Sequence, residues 1–279
     1  MPGFSHANIG MEGLPRARVY GAKETMKRPV VSLVIACAAL VGLADQASAQ
    51  TGTWADRGYI NVGWGVESGS SAMTDSQTRT VYEETATFTT ASTFTSGSLF
   101  DVGVGLKIWK NLTVGVAYHQ EQNDTEGEAS GSVPSPFFFN RPRTLSAKEL
   151  LDRKEMATHV NLGWVFPFSD KFDAMIYGGP SFFRLTQDVI SSVTHNETGA
   201  TSTTVGATLD TEERKKSQTG FNVGADVTYI AWSNDSVRLG VGGFIRFATA
   251  EAEVEMLSGT AQPTKVGGLQ FGFGARLRF

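Results

Sequence analysis

The stretch that decides the fold is Leu269-Gln270-Phe271-Gly272-Phe273-Gly274-Ala275-Arg276-Leu277-Arg278-Phe279. Apolar residues recur at every second position, and Gln270, Gly272, Gly274, Arg276 and Arg278 fill the positions between them. A period of two belongs to a strand with two unlike faces, because successive side chains of a strand point to opposite sides. The pairing of faces is unusual. Phe and Leu stand opposite Gly and Arg, so the polar face is either very small or charged.

The same pattern recurs upstream at about 58–66, 97–109, 112–122, 156–166, 171–187, 217–232 and 236–252, with the closing segment at about 266–279. In 97–109, Phe100, Val102, Val104, Leu106 and Ile108 alternate with Asp101, Gly103, Gly105 and Lys107. In 217–232, Phe221, Val223, Ala225, Val227 and Tyr229 alternate with Asn222, Gly224, Asp226 and Thr228. Gly178-Gly179-Pro180 blurs the parity of the fifth segment and predicts a bend or bulge there. Lys110-Asn111, Pro167–Asp170 and Ser233-Asn234-Asp235 read as tight turns, and the other four connections are long and polar. Alternating segments of about ten residues, with short turns at one end and long loops at the other, predict an all-β fold. The architecture expected is an antiparallel up-and-down transmembrane β-barrel of eight strands with short periplasmic turns and long extracellular loops.

Magnitude decides which face meets lipid. An Arg on the lipid face near the midplane costs roughly 2–4 kcal/mol. The apolar set is therefore expected to face lipid, and Asp101, Lys107, Asp226, Arg238, Arg246 and Arg276 to form a charge network in the lumen. An interior of about eight strands is only wide enough for side chains, which suits the inward glycines. Trp109, Phe166, Phe168, Phe172, Trp232 and Phe279 lie beside the tight turns and suggest an interfacial aromatic girdle.

Composition agrees with this reading. Charged residues make up 19% of the 279 residues, Gly numbers 31 and Phe 18, a usage that favours strands and turns. Residues 1–49 read as an N-terminal extension and cleaved signal peptide, leaving 50–279 as the barrel domain. Lys27 and Arg28 supply a basic start, Pro29 to Leu43 an apolar run, and Ala47-Ser48-Ala49 a small-residue site with cleavage before Gln50. Met26 then reads as the start of translation. Cys37 falls inside the apolar run, so the mature chain has no cysteine and no disulfide or thiolate chemistry. The removed segment carries five of the 24 basic and three of the 28 acidic residues, leaving 19 and 25 and a net charge near −6. That balance argues against nucleic acid as a partner.

The loops carry the remaining features. The first, about 67–96, is rich in Ser and Thr and is expected to prolong its flanking strands. The second holds Phe137, Phe138 and Phe139 among Pro134, Pro136 and Pro142, followed by Arg141. Two uses fit this cluster: a surface contact site, or a plug folded back into the barrel mouth, the favoured reading. Ser146-x-x-Glu149 matches a capping box and predicts a short helix through Lys154. The run Glu212–Lys216 reads as a solvated face.

No motif points to catalysis. His119, His159 and His195 are the mature histidines, and no spacing marks a triad. His119 and His159 are expected as hydrogen-bonded lumen residues near the outer ends of their strands. No His/Cys spacing marks a metal site, and no cofactor is expected. Glu121, Asp124, Glu126 and Glu128 read as a solvated acidic loop.

The signal peptide, the eight alternating segments and the closing Gly272–Phe279 strand together resemble the small outer-membrane β-barrel family that includes OmpA-like and OmpX-like proteins. The resemblance spans 50–279 and implies a place in the outer membrane. It implies that Phe271, Phe273, Leu277 and Phe279 form an assembly signal read by the barrel-insertion machinery. It implies contact with outer-membrane lipid and lipopolysaccharide, and loops that meet an extracellular ligand or surface partner. Members differ in role. The expectation is a non-enzymatic structural or surface-interaction protein, with a narrow passive channel as the alternative and a lipid-modifying enzyme behind it.

Overall fold

The computed structural model describes residues 53–197, 199 and 202–279. The expected signal peptide, Met26, Cys37 and the Ala49/Gln50 cleavage site lie outside the described residues. Eleven strands are formed: β1 Gly58–Ser68, β2 Ser71–Val81, β3 Glu84–Phe94, β4 Gly97–Trp109, β5 Leu112–Val133, β6 Arg143–Ser169, β7 Phe172–Asn196, β8 Thr204–Ser233, β9 Arg238–Glu255, β10 Ala261–Val266 and β11 Leu269–Arg278. Among the described residues there is no helix.

Each alternating segment of the sequence is centred on one strand, the closing one starting at Leu269 and not at 266, and consecutive segments pair antiparallel. β1 pairs β4, β4 pairs β5, β5 pairs β6, β6 pairs β7, β7 pairs β8 and β8 pairs β9. β9 pairs β11, and β11 pairs β1, so the succession returns to its first strand. Tyr59 stands opposite Arg278 and Gly65 opposite Gly272 in this last pairing. Backbone bonds extend it to Phe279, whose N–H donates to the Gly58 carbonyl at 3.1 Å and whose carbonyl accepts from the N–H of Gly58 at 2.9 Å.

The long connections are more ordered than the sequence suggests. The 67–96 region is not a simple prolongation of its neighbours. β1 ends at Ser68, and a separate hairpin, β2–β3, turns at Tyr82-Glu83, both with positive φ. β3 lies against the far half of β5 through Thr87–Ala91. The 253–265 connection likewise contains β10, folded back on β9. β5 to β8 run 22, 27, 25 and 30 residues, far past the segments expected.

Two local expectations are overturned. Ser146 to Glu149 is not a helix start; it lies in β6, with Ser146 opposite Ser130 and Glu149 opposite Gly127. A cap contributes about 1 kcal/mol, whereas β6 aligns with β5 from Arg143 to Trp164, and a continuous ladder satisfies many more backbone groups. Gly178-Gly179-Pro180 is not a bulge. The β6–β7 register is the same on both sides, His159 opposite Ser181 and Leu162 opposite Gly178. Pairing lapses only beside Pro180, which has no N–H to give. The register shifts lie elsewhere, at Lys107/Trp109, Pro167/Ser169, Ile190/Ser192 and Ile230/Trp232.

The two faces exchange character part-way along each long strand. On β5, Val114, Val116 and Tyr118 are exposed, and beyond them the same face carries Gln122, Asp124, Glu126 and Glu128. On the opposite face of β5, Thr113, His119 and Glu121 are buried, followed by buried Ala129 and Val133. β7 changes between Phe182 and Arg184, and β9 between Phe247 and Thr249. One half of the sheet is apolar outside and polar within; the other half is the reverse. In the second half, Phe88, Phe94, Leu145, Leu151, Ile190 and Val193 pack as one apolar cluster. Met73, Phe183, Leu185, Val189, Val254 and Val266 belong to another.

Candidate functional site

The polar buried face is the chemically informative part of the molecule. Its residues come from strand positions of a single parity, so glycines alternating with them leave room for long side chains. The Tyr59 ring, for example, lies across Gly105 and Gly115, where an added Cβ would stand about 2.5 Å from it.

Charged groups form layers along this face. Nearest the tight turns, Arg238 pairs with Asp56 through both carboxylate oxygens, and it also donates to the Asp170 carbonyl at 3.0 Å. Arg278 donates to Asn61 at 2.7 Å, to Thr228 at 2.5 Å and to Asp173 at 3.4 Å. Arg276 grips Asp226, with its shortest bond at 2.7 Å. Arg246 donates to Asp101 at 2.6 Å and to the Gln270 side-chain oxygen at 2.5 Å. Arg246, Arg276 and Arg278 are at most 2% exposed. Taking a charge out of water costs several kcal/mol, and only such close partners offset it.

Five of the six charges expected to converge therefore have carboxylate or guanidinium partners. Lys107 does not join them. Its Nζ turns to the Trp54 carbonyl at 2.6 Å, because the segment before β1 folds under the sheet and offers a carbonyl first. Trp54 is 1% exposed; its backbone N–H donates to the Asn111 side-chain oxygen at 2.9 Å and its ring packs with Tyr59, Val165, Met175 and Tyr177. Asp56, Asp173 and Arg278 were not singled out from sequence as network members. Arg278 has the parity of Arg276, which was the available signal. Between these layers lies a cavity of about 30 Å³, lined by Tyr59, Asp101, Asp226 and Arg246 among others. That is room for about two water molecules.

Above Arg246 lies a layer that sequence reasoning did not assemble. The His119 and His159 rings stack at 4.9 Å and share a 2.8 Å hydrogen bond from Nδ1 to Nε2. His159 Nδ1 in turn meets Ser181 Oγ at 2.7 Å. Gln270 donates to Glu67 at 2.6 Å. Arg153 donates to Glu155 and to Gln187, both at 3.3 Å, and to the Lys265 carbonyl at 2.7 Å. Glu121 is buried here with them, not solvated like Asp124, Glu126 and Glu128. No sequence spacing indicates a metal site, yet folding brings one donor atom each of Glu67, His119 and Glu155 within 4.8 Å of one another. A cavity of about 370 Å³ is lined by Glu67, Glu121, Arg153 and Glu155, with Gly69, Gly267 and Gly268 in its wall where β1–β2 and β10–β11 are interrupted.

The Phe137–Phe139 cluster is not folded back as a plug. The three rings are 66%, 48% and 72% exposed. The interior beside them is already filled by the Phe88 cluster, and the chain around the tip is braced. Arg143 donates to the Pro134 carbonyl at 2.9 Å and bidentately to Glu197 at 2.6 and 2.9 Å. The Asn140 N–H reaches Glu84 at 3.2 Å, and the Arg141 guanidinium lies 5.6 Å from the Phe138 ring centre. The Arg143 hydrogen bonds hold the Glu197 carboxyl well below its usual range, at about 2. His195 and Tyr82 also meet Glu197.

No family model and no curated protein matches the chain. Among solved structures it is similar to Neisserial surface protein A, at 14% identity over 80% of this chain and 97% of that one, with a TM-score of 0.38. It is similar to the outer membrane protein OprG from Pseudomonas aeruginosa at 11% identity, over 82% and 98%, with a TM-score of 0.42. The outer membrane protease OmpT from Escherichia coli is 10% identical over 79% and 96%, with a TM-score of 0.32.

Proposed function

We propose that the chain is an outer-membrane protein whose eight strands β1, β4–β9 and β11 close into a barrel, and whose role is structural or one of surface interaction, without catalysis or conduction. The observation that carries this reading is the exchange of polarity on both faces at one level. A belt of Trp64, Val104, Leu106, Val116, Leu162, Ile176, Val241, Phe273 and their neighbours is far larger than a water-soluble monomer exposes. A strand needs about ten residues to cross a bilayer. β1, β4, β9 and β11 have 11, 13, 18 and 10, and β5 to β8 have at least twice that number. The surplus forms a sheet-walled extension in water with an apolar core of its own.

Three features favour a filled, non-conducting membrane section over a channel: the paired Arg layers, the cavity of about 30 Å³, and Trp54 packed beneath. In this reading Phe271, Phe273, Leu277 and Phe279 serve assembly, and the braced Phe137–Phe139 tip with Arg141 meets a surface partner. Outer-membrane lipid and lipopolysaccharide surround the belt, and the N-terminal segment is removed after export. Planar-bilayer recordings of the purified protein test it, with no unit conductance expected. Reproducible single-channel steps would establish the channel instead. Quenching of Trp64 and Trp164 by brominated lipid tests the belt, and unquenched fluorescence would place it outside the bilayer.

A further inference from the structure

We infer that Glu67, His119 and Glu155 form a binding site for one first-row divalent transition ion, with Zn²⁺ as its natural probe. The three donor atoms lie within 4.8 Å of one another, and all three residues are buried. Donors around a tetrahedral ion at bond lengths of about 2.0–2.2 Å stand about 3.3–3.6 Å apart, so side-chain rotations that close the set by about 1 Å complete it.

Three independent observations point to an ion. The first is an unpartnered acceptor. Glu155 is 1% exposed and lines the cavity of about 370 Å³, and its Oε1 has no hydrogen-bond partner. A buried carboxylate oxygen left bare is costly, and few native structures keep one without a reason.

The second is the orientation of His119. Arg246 can only donate, so the 2.5 Å bond from its Nε fixes the Gln270 side-chain oxygen on that side. The Gln270 amide nitrogen then faces Glu67 at 2.6 Å and His119 Nε2 at 3.5 Å. A donor facing Nε2 requires a lone pair there, which places the ring proton on Nδ1. That proton goes to His159 Nε2 at 2.8 Å, and the His159 proton goes to Ser181. Asn222 donates to the same Ser181 oxygen at 3.0 Å. The outcome is an imidazole with its far N–H hydrogen-bonded and its Nε2 lone pair turned toward Glu67, 3.9 Å away, met there only by the 3.5 Å contact from the Gln270 amide. This is how metal-ligating histidines are held.

The third is charge. Arg246 is offset by Asp101, and at the cavity wall Lys265 is matched by Glu251, leaving Arg153 against Glu67, Glu121 and Glu155. Two negative charges are left over when all three carboxylates are ionised, which a divalent cation neutralises. Two carboxylates and one imidazole suit Zn²⁺ and its first-row neighbours. Ca²⁺ prefers six to eight oxygens. The cavity beside the three donors has room for water to complete the coordination, and Glu121 lines it.

The experiment is calorimetric titration of the folded full chain in detergent with ZnCl₂. One ion per chain is expected, with at least tenfold weaker binding in His119→Gln and in Glu155→Gln. Glu126→Gln, at an exposed acid, and His195→Gln, at a half-buried imidazole outside the cluster, are expected to bind as wild type does. Absence of one-to-one uptake by wild type would overturn the site. So would unchanged affinity in both site variants, or loss of uptake in His195→Gln. Mobility on unboiled gels checks that each variant is folded. A wild-type measurement covers a variant that is not. Added Co²⁺ is expected to broaden the amide resonances of Glu67, His119 and Glu155 before that of His195, and the reverse order would sink the proposal.

Discussion

Replacing Asp226 by Leu isolates the energetics of the buried arginine layers. Asp226 accepts from Arg276 at 2.7, 3.1 and 3.3 Å and from Thr228 at 3.1 Å, and Arg278 stands 3.8 Å away. Arg278 keeps Asn61, Thr228 and Asp173 after the change. Arg276 keeps only the Ala275 carbonyl at 3.1 Å. Removing one partner of a buried pair costs about 3–5 kcal/mol, because the other charge is left without compensation. One retained carbonyl bond puts the expectation near the lower end, at about 3 kcal/mol. Converting Arg276 to Met as well removes the stranded charge, and apolar replacement of both partners is commonly neutral. The double variant Asp226→Leu/Arg276→Met is therefore expected within about 1 kcal/mol of wild type, a recovery of about 2–3 kcal/mol over the single variant. Urea unfolding of detergent-folded protein, followed by tryptophan fluorescence and by unboiled gel mobility, measures all of these. A single variant within about 1 kcal/mol of wild type would refute the reasoning. A double variant no more stable than the single would refute it too, since the cost would then not lie in an unpaired guanidinium.

The Glu197 carboxyl is held at about 2 by Arg143, so its contribution is present above the ordinary carboxylate range near pH 4.5 and is lost as pH falls through about 2. Glu197→Gln is accordingly expected to speed proteolytic nicking of the β7–β8 connection at pH 5 to 8, and to make no difference to nicking by pepsin near pH 2. Because Glu197 is more than a third exposed, the effect on global unfolding is expected to stay below about 1 kcal/mol. Phe137→Ser and Phe139→Ser, at exposed rings, are expected to leave thermal unfolding within about 0.5 kcal/mol and to lower adhesion of whole cells to host or abiotic surfaces. Unchanged adhesion in the double variant would remove the contact role. Gly115→Val sets a side chain where the Tyr59 hydroxyl lies 2.5 Å from an added Cβ, and it is expected to destabilise by about 1–3 kcal/mol in the same urea assay.

The strands were legible because a period of two survives whichever side faces water. Leu269 to Phe279 announces a strand by itself, and its parity places Arg276 and Arg278 on the buried side. The far halves of β5 to β8 were harder to read for a physical reason. There the outer face is polar and the inner-parity positions mix apolar, small and charged residues, as in Ala147, exposed Glu149 and buried Leu151, so the contrast between faces that marks a strand is weak. The Ser146 capping signal filled that gap with a helix that long-range pairing to β5 overrides. The site was hidden differently. Glu67, His119 and Glu155 come from β1, β5 and β6, and no spacing in one segment can report a meeting of three. What the sequence did carry was parity. His119 and Glu121 share the buried face of β5, and Glu155 and His159 that of β6, with Ala117 opposite His159 and Glu121 opposite Glu155 in the ladder. Once two adjacent strands place acids and imidazoles on one buried face at one level, charge must be compensated there. The only choices are arginine, a proton or a cation. Arg246 and Arg153 supply part of that compensation, and the bare Glu155 oxygen marks where it stops.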